Sequence, residues 1–206
     1  MGSPLVECVP NISEGRNREV VDAIVSAVSA ERCRLIDLSL DPDHNRAVIT
    51  LVGEPDALAD SLLELVARAV ERIDLRTHQG AHPRMGAVDV IPFIPVRGVS
   101  MADCVALSRR VGETIAARFG IPVYLYEESA STEERRSLAA IREGQFERFP
   151  DKIKDPRWRP DFGEPVVHPT AGVTAVGARE FLIAFNVNLA TCDLGIAKRI
   201  ASAVRF

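Results

Sequence analysis

Two apolar segments separated by a short polar one constrain the fold of this chain most. Residues 35–38 and 47–52 both have the composition of strands, and the acidic, turn-rich segment 41–45 lies between them. Parallel strands need a crossover connection of a dozen or more residues, and this segment is too short to supply one. The two strands are therefore expected to pair antiparallel, which disfavours a doubly wound parallel sheet.

The rest of the chain alternates short strands with amphipathic helices. Further strands are predicted over residues 5–9, 88–94 and 123–126. Helices are predicted over residues 16–28, 55–73, 100–119 and 133–142, and residues 155–172 are predicted to be loop. The order β-α-β-β-α-β, followed by one more helix and strand, predicts an α+β fold. It would be a ferredoxin-like split β-α-β unit with a mixed or antiparallel sheet and helices on one face.

The last predicted elements are a strand followed by a helix, the same order with which the chain begins. Apolar residues alternate over 181–189 as in a strand, and a helical stripe follows as far as residue 204. A length of 206 residues suits one domain plus an appendage. We therefore predict one unit over residues 1–180 and the first strand and helix of a second, similar unit over residues 181–206.

Composition and charge exclude several classes of protein. Hydrophobic residues make up 47% of the chain, enough for a sizeable core, but no apolar run is long enough to span a membrane. The formal net charge is −4 and the basic residues are scattered, so nucleic acid is not an expected partner. The N-terminus lacks a secretion signal and the four cysteines have neither metal-site nor redox-motif spacing, so a cytoplasmic protein with reduced thiols is expected.

The densest polar segment is RTHQGAHPRMG, residues 76–86. His78 and His82 have the i, i+4 spacing of a zinc-binding helix, but Gln79 stands where a general-base Glu is needed and Pro83 disfavours a helix. A metal is therefore not expected. The alternatives are that the histidines bond only to loop carbonyls, or that His82 is an acid–base catalyst with Arg84 holding an anionic group beside it. These two readings are about equally well supported by the residues alone.

Two other segments combine polar or small residues. Asp37, Asp41, Asn45 and Arg46 surround the turn between the adjacent strands, where they form either a solvated turn or a strand-end site facing the same cleft as His82. The segment 161–179 is rich in glycine and small residues. It reads either as a linker between two units or as backbone that a flat ligand can approach closely.

Taken together, these segments resemble the formiminotransferase family. The matching stretches are VECVPNISEGRN, DPDHNRAVITLVGEP, RTHQGAHPRMGAVDVIPFIPVRGVS, GIPVYLYEESA, ERRSLAAIREGQFE, RPDFGEP and TAVGAREFLIAFNVNL. They run in order from residue 6 to about residue 189 and so cover nearly the whole chain. The long HPRMGAVDVIPFIPVRG match is far more specific than a short glycine motif.

The resemblance implies a folate-dependent glutamate formimidoyltransferase of one-carbon metabolism and histidine degradation. Such an enzyme moves a formimino group between N-formimino-L-glutamate and tetrahydrofolate, which is a substrate and carrier, and it uses no metal. Its two ferredoxin-like subdomains hold folate between them, and its catalytic histidine corresponds to His82. The substrate and folate residues implied or suggested are Asp37, Asp41, Asn45, Arg46, Arg84, Gly163, Glu164, Pro165, Val166, Val167, His168, Pro169, Thr170, Ala171 and Gly172, with Arg97 a further candidate cation.

The sequence departs from the family pattern at two points. Ser39 stands where the family pattern has an acid, although Asp37 or Asp41 could replace it. The second subdomain is represented by one predicted strand and helix, so self-association or a separate chain is expected to complete the cleft. The alternative to an active transferase is therefore a folate-binding half-module that is catalytically incomplete without its partner.

Overall fold

The computed structural model describes residues 2–28, 32–182, 187 and 189–204. Within these residues the strands are β1 (Leu5–Cys8), β2 (Asn11–Ile12), β3 (Cys33–Asp41), β4 (Arg46–Gly53), β5 (Val88–Arg97), β6 (Val123–Glu127) and β7 (Thr174–Ala178). The helices are α1 (Arg18–Val25), α2 (Pro55–Arg72), α3 (Met101–Phe119), α4 (Leu138–Arg142), α5 (Gln145–Lys152) and α6 (Leu194–Val204). Two 3₁₀ turns cover Glu133–Arg136 and Pro156–Trp158.

All seven strands belong to one mixed sheet. β3 pairs with β4, β4 with β1 and β2, and these with β5, each pairing antiparallel. Pro10 separates β1 from β2, which together occupy one position in the sheet. β7 lies between β5 and β6 and runs parallel to both. The antiparallel pairing of β3 with β4 and the α+β class are thus confirmed.

The two long helices α2 and α3, with the shorter α1, cover one face of the sheet. On β4 the buried residues Ala47, Ile49 and Leu51 alternate with half-buried neighbours, and the buried set packs with the aliphatic stripes of α1, α2 and α3. The helix ends follow the sequence signals. Pro55 opens α2, while the capping box of Ser100 with Asp103 begins α3, which Gly120 ends in a left-handed conformation (φ 66°).

The other face is covered only in part. Ile141 of α4 and Phe149 of α5 pack there with Tyr124 and Tyr126 of β6. The prediction that the helices lie on one face therefore holds for α1, α2 and α3. Helices α4 and α5 form a second, smaller layer on the other face. The part of this face formed by β1 to β4 carries no helix among the residues that the structure describes.

Some elements differ from the sequence-based expectation. β7 is an unpredicted strand: its residues TAVGA are small, do not alternate, and are all buried between two neighbouring strands. The helix expected over 133–142 is a 3₁₀ turn followed by α4, because Ser137 between them is extended and caps α4 by accepting a hydrogen bond from the N–H of Ala140.

The predicted tail is described only in part. The strand expected over 181–189 includes residues 183–186 and 188, which lie outside the described residues. The helix expected after it is present as α6, and none of its described residues is buried. The boundary between a first and a second unit at residue 180 stays a prediction.

The structure also bears on the cysteines and on membrane spans. Cys8, Cys33 and Cys104 are free and buried, while Cys192 is free and exposed. No helix within the described parts of the chain combines the length and apolarity that crossing a bilayer requires.

Candidate functional site

A groove of about 340 Å³ lies on the face of the sheet that the long helices leave open. Its lining includes Asn11, Arg46, Val90, Pro92, Tyr126, Glu127, Arg142 and Arg179. Three of these residues are arginines, against one acid, and they come from three separate segments of the chain. Because guanidinium groups match carboxylates in charge and in hydrogen-bond geometry, the groove is suited to an anion.

His82 is connected to this groove through the buried carboxylate of Asp89 and the half-buried guanidinium of Arg142. Its Nε2 lies 3.4 Å from Oδ2 of Asp89, an ion-pair distance that is long for a hydrogen bond. The same carboxylate accepts a 2.8 Å hydrogen bond from Nε of Arg142 and a second one from its Nη2. His82 is 3% exposed and Asp89 is fully buried, whereas Arg142 reaches the groove.

The buried carboxylate stays ionised. Burial by itself would raise the pKa of Asp89, but the neighbouring His82, the charge of Arg142 and the N–H of Met85 outweigh it. The pKa of Asp89 is therefore lowered from its ordinary value. A negative charge consequently lies beside the imidazole of His82 at neutral pH.

Backbone contacts hold the segment that carries His82. The N–H of His82 donates to the carbonyl of His44, and the N–H of Ala81 donates to the carbonyl of Asp43. Gly80 permits this approach, because a Cβ there would lie 2.3 Å from the carbonyl oxygen of His44. The polar turn before β4 is thus the support of the histidine loop.

Asn45 connects three segments at this support. Its Oδ1 accepts a 3.0 Å hydrogen bond from the N–H of Gly15, and its Nδ2 donates to the carbonyl of Gln79 at 3.0 Å. Asn45 has a φ of 52°, which Asn tolerates better than most residues. Both side-chain groups of this predicted substrate residue are therefore engaged with the protein's own backbone.

His78 and Arg84 are likewise occupied. His78 donates from Nε2 to the carbonyl of Asn45 at 2.8 Å, and its burial lowers its pKa. Arg84 binds both carboxylate oxygens of Glu147, at 3.0 and 2.6 Å. The structure therefore gives Arg84 an internal partner in the position where the sequence suggested a substrate anion.

The acidic residues near the turn are more exposed than His82. Asp37 lies exposed on β3, opposite Thr50 of β4. Asp41 accepts a hydrogen bond from the N–H of His44, which is the main reason that its pKa is lowered, and faces Nδ1 of His44 at 2.7 Å. Neither lines the groove.

Arg46 lines the groove, and Ser39 lies on the same face of the sheet, as do Asp37 and Asp41. The Nε of Arg46 is buried and has no hydrogen-bond partner among the described residues, so one donor of this groove arginine is unsatisfied. Ser39 pairs with Val48, which pairs with Asn11, which pairs with Val90. Paired residues of antiparallel strands lie on the same face of a sheet. Ser39, which replaces the acid of the family pattern, therefore lies in the same cross-strand row as the groove residues Asn11 and Val90.

The loop from Gly163 to Gly172 lies elsewhere. Its residues Gly163, Glu164, Val166, Val167, His168 and Pro169, together with Glu113, Ala116 and Gly120, line a cavity of about 650 Å³ beside α3. Pro165, Thr170, Ala171 and Gly172 do not line it. This cavity shares no lining residue with the groove, so the part of the loop that lines it lies apart from the three groove arginines.

The end of that loop supports the histidine segment from behind. Nδ1 of His168 accepts hydrogen bonds from the N–H groups of Thr170 and Ala171, at 3.4 and 3.0 Å. The carbonyl of Ala171 accepts from Ala87, and Gly172 packs so closely that a Cβ there would lie 2.1 Å from the carbonyl oxygen of Met85.

Sequence reasoning missed Asp89, Arg142 and Arg179. Asp89 had a usable signal, since it is the one charge within the apolar stretch 87–96 and a buried charge needs partners. Arg142 and Arg179 had no such signal in the sequence, because each looks like an ordinary charged residue of a helix or a strand end.

The described residues contain no cluster of three or more His, Cys, Asp or Glu that could hold a metal ion.

Comparison with known proteins adds a family to this geometry. The model of the formiminotransferase domain, N-terminal subdomain, matches residues 5–179. A glutamate formimidoyltransferase of Streptococcus pyogenes serotype M1 is 49% identical over 202 residues, covering 98% of this chain and 68% of the relative. One from Thermoplasma acidophilum is 48% identical over 204 residues, covering 98% of this chain and 67% of the relative. The formimidoyltransferase-cyclodeaminase of Rattus norvegicus is 50% identical over 188 residues, which are 91% of this chain and 35% of the relative.

Proposed function

Because the chain belongs to the formiminotransferase family, as its N-terminal subdomain, we propose that it transfers a formimino group between N-formimino-L-glutamate and tetrahydrofolate. The observation that carries the proposal is that the buried His82 and Asp89 are linked by Arg142 to a groove that two further arginines, Arg46 and Arg179, also line. The names of the relatives support the same reaction, and tetrahydrofolate is its second substrate.

The reaction requires one proton to leave and one to arrive. The amine nitrogen of tetrahydrofolate attacks the amidine carbon, forming a carbon–nitrogen bond, and gives up its proton to His82. Collapse of the tetrahedral intermediate breaks the bond from that carbon to the glutamate nitrogen, and His82 returns the proton to the departing amine. A histidine suits both steps, because its ordinary pKa of about 6.5 lies near neutral pH.

The groove would hold the glutamate part of the substrate. Arg46 has an unsatisfied buried Nε, and Arg142 and Arg179 lie in the same lining. Arg84 is bound to Glu147, and Arg97 donates to the carbonyl of Ser3 at the edge of the sheet. Of the arginines suggested by the sequence, Arg46 is therefore the one proposed to bind a substrate carboxylate.

The folate role of residues 163–172 stays a prediction. Because this loop lines a cavity beside α3, it would meet folate at a place apart from the three groove arginines. Val166 is 68% exposed there and can be changed without disturbing the core. If folate binds in this cavity, Val166→Glu should weaken tetrahydrofolate binding, measured by isothermal titration calorimetry, because the added carboxylate repels the anionic glutamate tail of folate.

A partner-dependent state is the second candidate. The exposed apolar side chains Leu35 and Ile36 of β3, at 42% and 60% exposure, favour it because β3 pairs on one side only within the described residues. A second copy of the chain or a chain with the second subdomain would cover them. We place this assembly in the cytoplasm, which suits the free buried thiols of Cys8, Cys33 and Cys104.

The test is formimino transfer by the purified, folded chain with His82→Ala and His44→Ala compared. His44 is an exposed histidine of the supporting turn, so its side chain can be removed without touching the proposed site. We expect His82→Ala to lose about 10²- to 10⁴-fold in kcat and His44→Ala to stay within about threefold. Full activity of His82→Ala would exclude the acid–base role.

Turnover by the wild type alone, at a monomeric mass in solution, would exclude the partner-dependent state. If the wild type is inactive alone and active with a chain carrying the second subdomain, the second candidate holds. Inactivity in both conditions would refute formimino transfer.

A further inference from the structure

We propose that Asp89 is a positioning residue for His82. It holds the imidazole in the tautomer with the proton on Nε2, and so leaves Nδ1 as the nitrogen that exchanges a proton with substrate. The catalytic consequence rests on the proposed function, whereas the tautomer itself does not.

The first step of the argument is the surroundings of Nε2. This nitrogen is buried and has no hydrogen-bond partner within the described residues that meets ordinary geometry, and the carboxylate oxygen of Asp89 lies 3.4 Å away. An ionised carboxylate only accepts hydrogen bonds. The nitrogen that faces it is therefore stabilised as an N–H, and a neutral imidazole then carries its lone pair on Nδ1.

The second step is that the carboxylate itself cannot turn away. Oδ1 of Asp89 accepts a 2.7 Å hydrogen bond from the N–H of Met85, and Oδ2 accepts from the guanidinium of Arg142. Met85 belongs to the histidine segment and Arg142 to α4, so donors from two sides fix the orientation of the carboxylate. Such outer partners of a histidine set its tautomer and ring orientation.

The third step concerns the position of Arg142. It ends α4, where the ammonium of Lys152 donates to the carbonyls of Ala140, Ile141 and Glu143, at 2.6, 2.9 and 3.1 Å. These bonds satisfy the free carbonyls at the helix end and fix the helix from which Arg142 reaches Asp89.

The fourth step concerns the charged groups that surround His82 during turnover. Its ionisable neighbours are Asp89 on β5, Arg142 of α4 beyond that carboxylate, and His78 on its own segment. Asp89 is the anionic one among them and lies nearest. It therefore stabilises the imidazolium that forms when His82 takes a proton, as the acid does in a Ser-His-Asp triad.

The test compares Asp89→Asn with Asp161→Asn. Asp161 is a matched control for stability and for the His82 spectra. It also accepts a hydrogen bond from a backbone N–H, that of Leu125, and pairs with a buried arginine, Arg135, but within the described part of the chain it is paired with no histidine. Both changes remove one charge from a buried pair. They should cost similar stability, measured by urea unfolding.

Only Asp89→Asn should change His82. Nitrogen-15 NMR of the imidazole should show the Nε2–H tautomer in the wild type and in Asp161→Asn, and loss of that tautomer preference in Asp89→Asn. We expect kcat to fall about 100-fold or more in Asp89→Asn, with KM within about threefold. Asp161→Asn is compared for stability and for the His82 spectra only, because Asp161 also lines the cavity beside α3.

The outcomes separate this inference from the proposed function. An Nδ1–H tautomer in the wild-type protein overturns the positioning role, even if Asp89→Asn fails to fold. A wild-type kcat in Asp89→Asn with unchanged His82 spectra overturns it as well. A wild type without transferase activity that still shows the Nε2–H tautomer, lost in Asp89→Asn, would refute the proposed function and leave the positioning role intact.

Discussion

The two faces of the sheet bury different kinds of side chain. Under α1, α2 and α3 the buried residues are almost all aliphatic, as in Ile49 and Leu62. On the other face the buried residues include His82, Arg84, Asp89 and Arg135. Apolar packing is tolerant of detail, whereas a buried charge is costly unless its partners are in place. The comparison shows that apolar packing on one face stabilises the fold, whereas the other face fixes the positions of buried ionisable side chains.

The largest contrast is expected between two adjacent residues of β4. Ile49 faces the long helices and is fully buried, while Val48 faces the open side and is half-buried. Ile49→Ala should lower the free energy of unfolding by about 2–5 kcal/mol, and Val48→Ala by about 1 kcal/mol or less. Urea unfolding measures both. Equal losses would contradict the division of roles between the two faces.

A smaller effect is expected within the polar layer. Lys152→Met keeps the apolar stem but removes three hydrogen bonds at the end of α4, and should cost about 1–3 kcal/mol. Lys154→Met is the control, because Lys154 makes only an exposed ion pair with Asp151 and should change stability by less than about 0.5 kcal/mol. Thermal unfolding of the two variants provides the comparison. A Lys152→Met protein as stable as the control would show that the helix-end bonds are not needed.

The smallest effect is a dependence of stability on pH through His168. Its burial lowers its pKa below 6.5, and its Nδ1 must be unprotonated to accept from Thr170 and Ala171. The unfolded chain therefore binds a proton that the folded chain does not. The free energy of unfolding should fall as the pH is lowered from about 6.5, until the folded histidine itself becomes protonated.

His168→Asn tests this, because an amide oxygen can accept the same hydrogen bonds but does not titrate. The variant should lose less stability than the wild type between pH 7.5 and 5.5, as measured by the shift in Tm. Part of the wild-type slope should remain, since burial lowers the pKa of His78 too. An identical slope in both proteins would assign the pH dependence to other groups.

Much of the helix-covered face could be predicted from residue patterns. The alternation in β4, the stripes of α2 and α3, and the stop at Gly120 are local signals, and they place the long helices correctly. β7 could not be found this way, because its small residues become a strand only when β5 and β6 provide partners on both sides.

The candidate site, too, was predictable from the sequence only in part. The sequence indicated the histidine segment 76–86 and selected His82 within it through the family resemblance. It suggested Asn45 and Arg84 as substrate residues, and their side chains are bonded within the protein. It missed Arg142, which lies 53 residues from Asp89 along the chain. No local pattern reports a pairing over that distance.

Sequence by itself determined the α+β class, the antiparallel pair of β3 and β4, the family and the segment that contains His82. These depend on periodicity, turn chemistry and motif identity, which are properties of neighbouring residues. Only the tertiary structure decided that Asp89 and Arg142 meet behind His82, and that Arg46, Arg142 and Arg179 share one groove. Those juxtapositions arise from strand order and helix packing, which bring together charges that the chain keeps far apart.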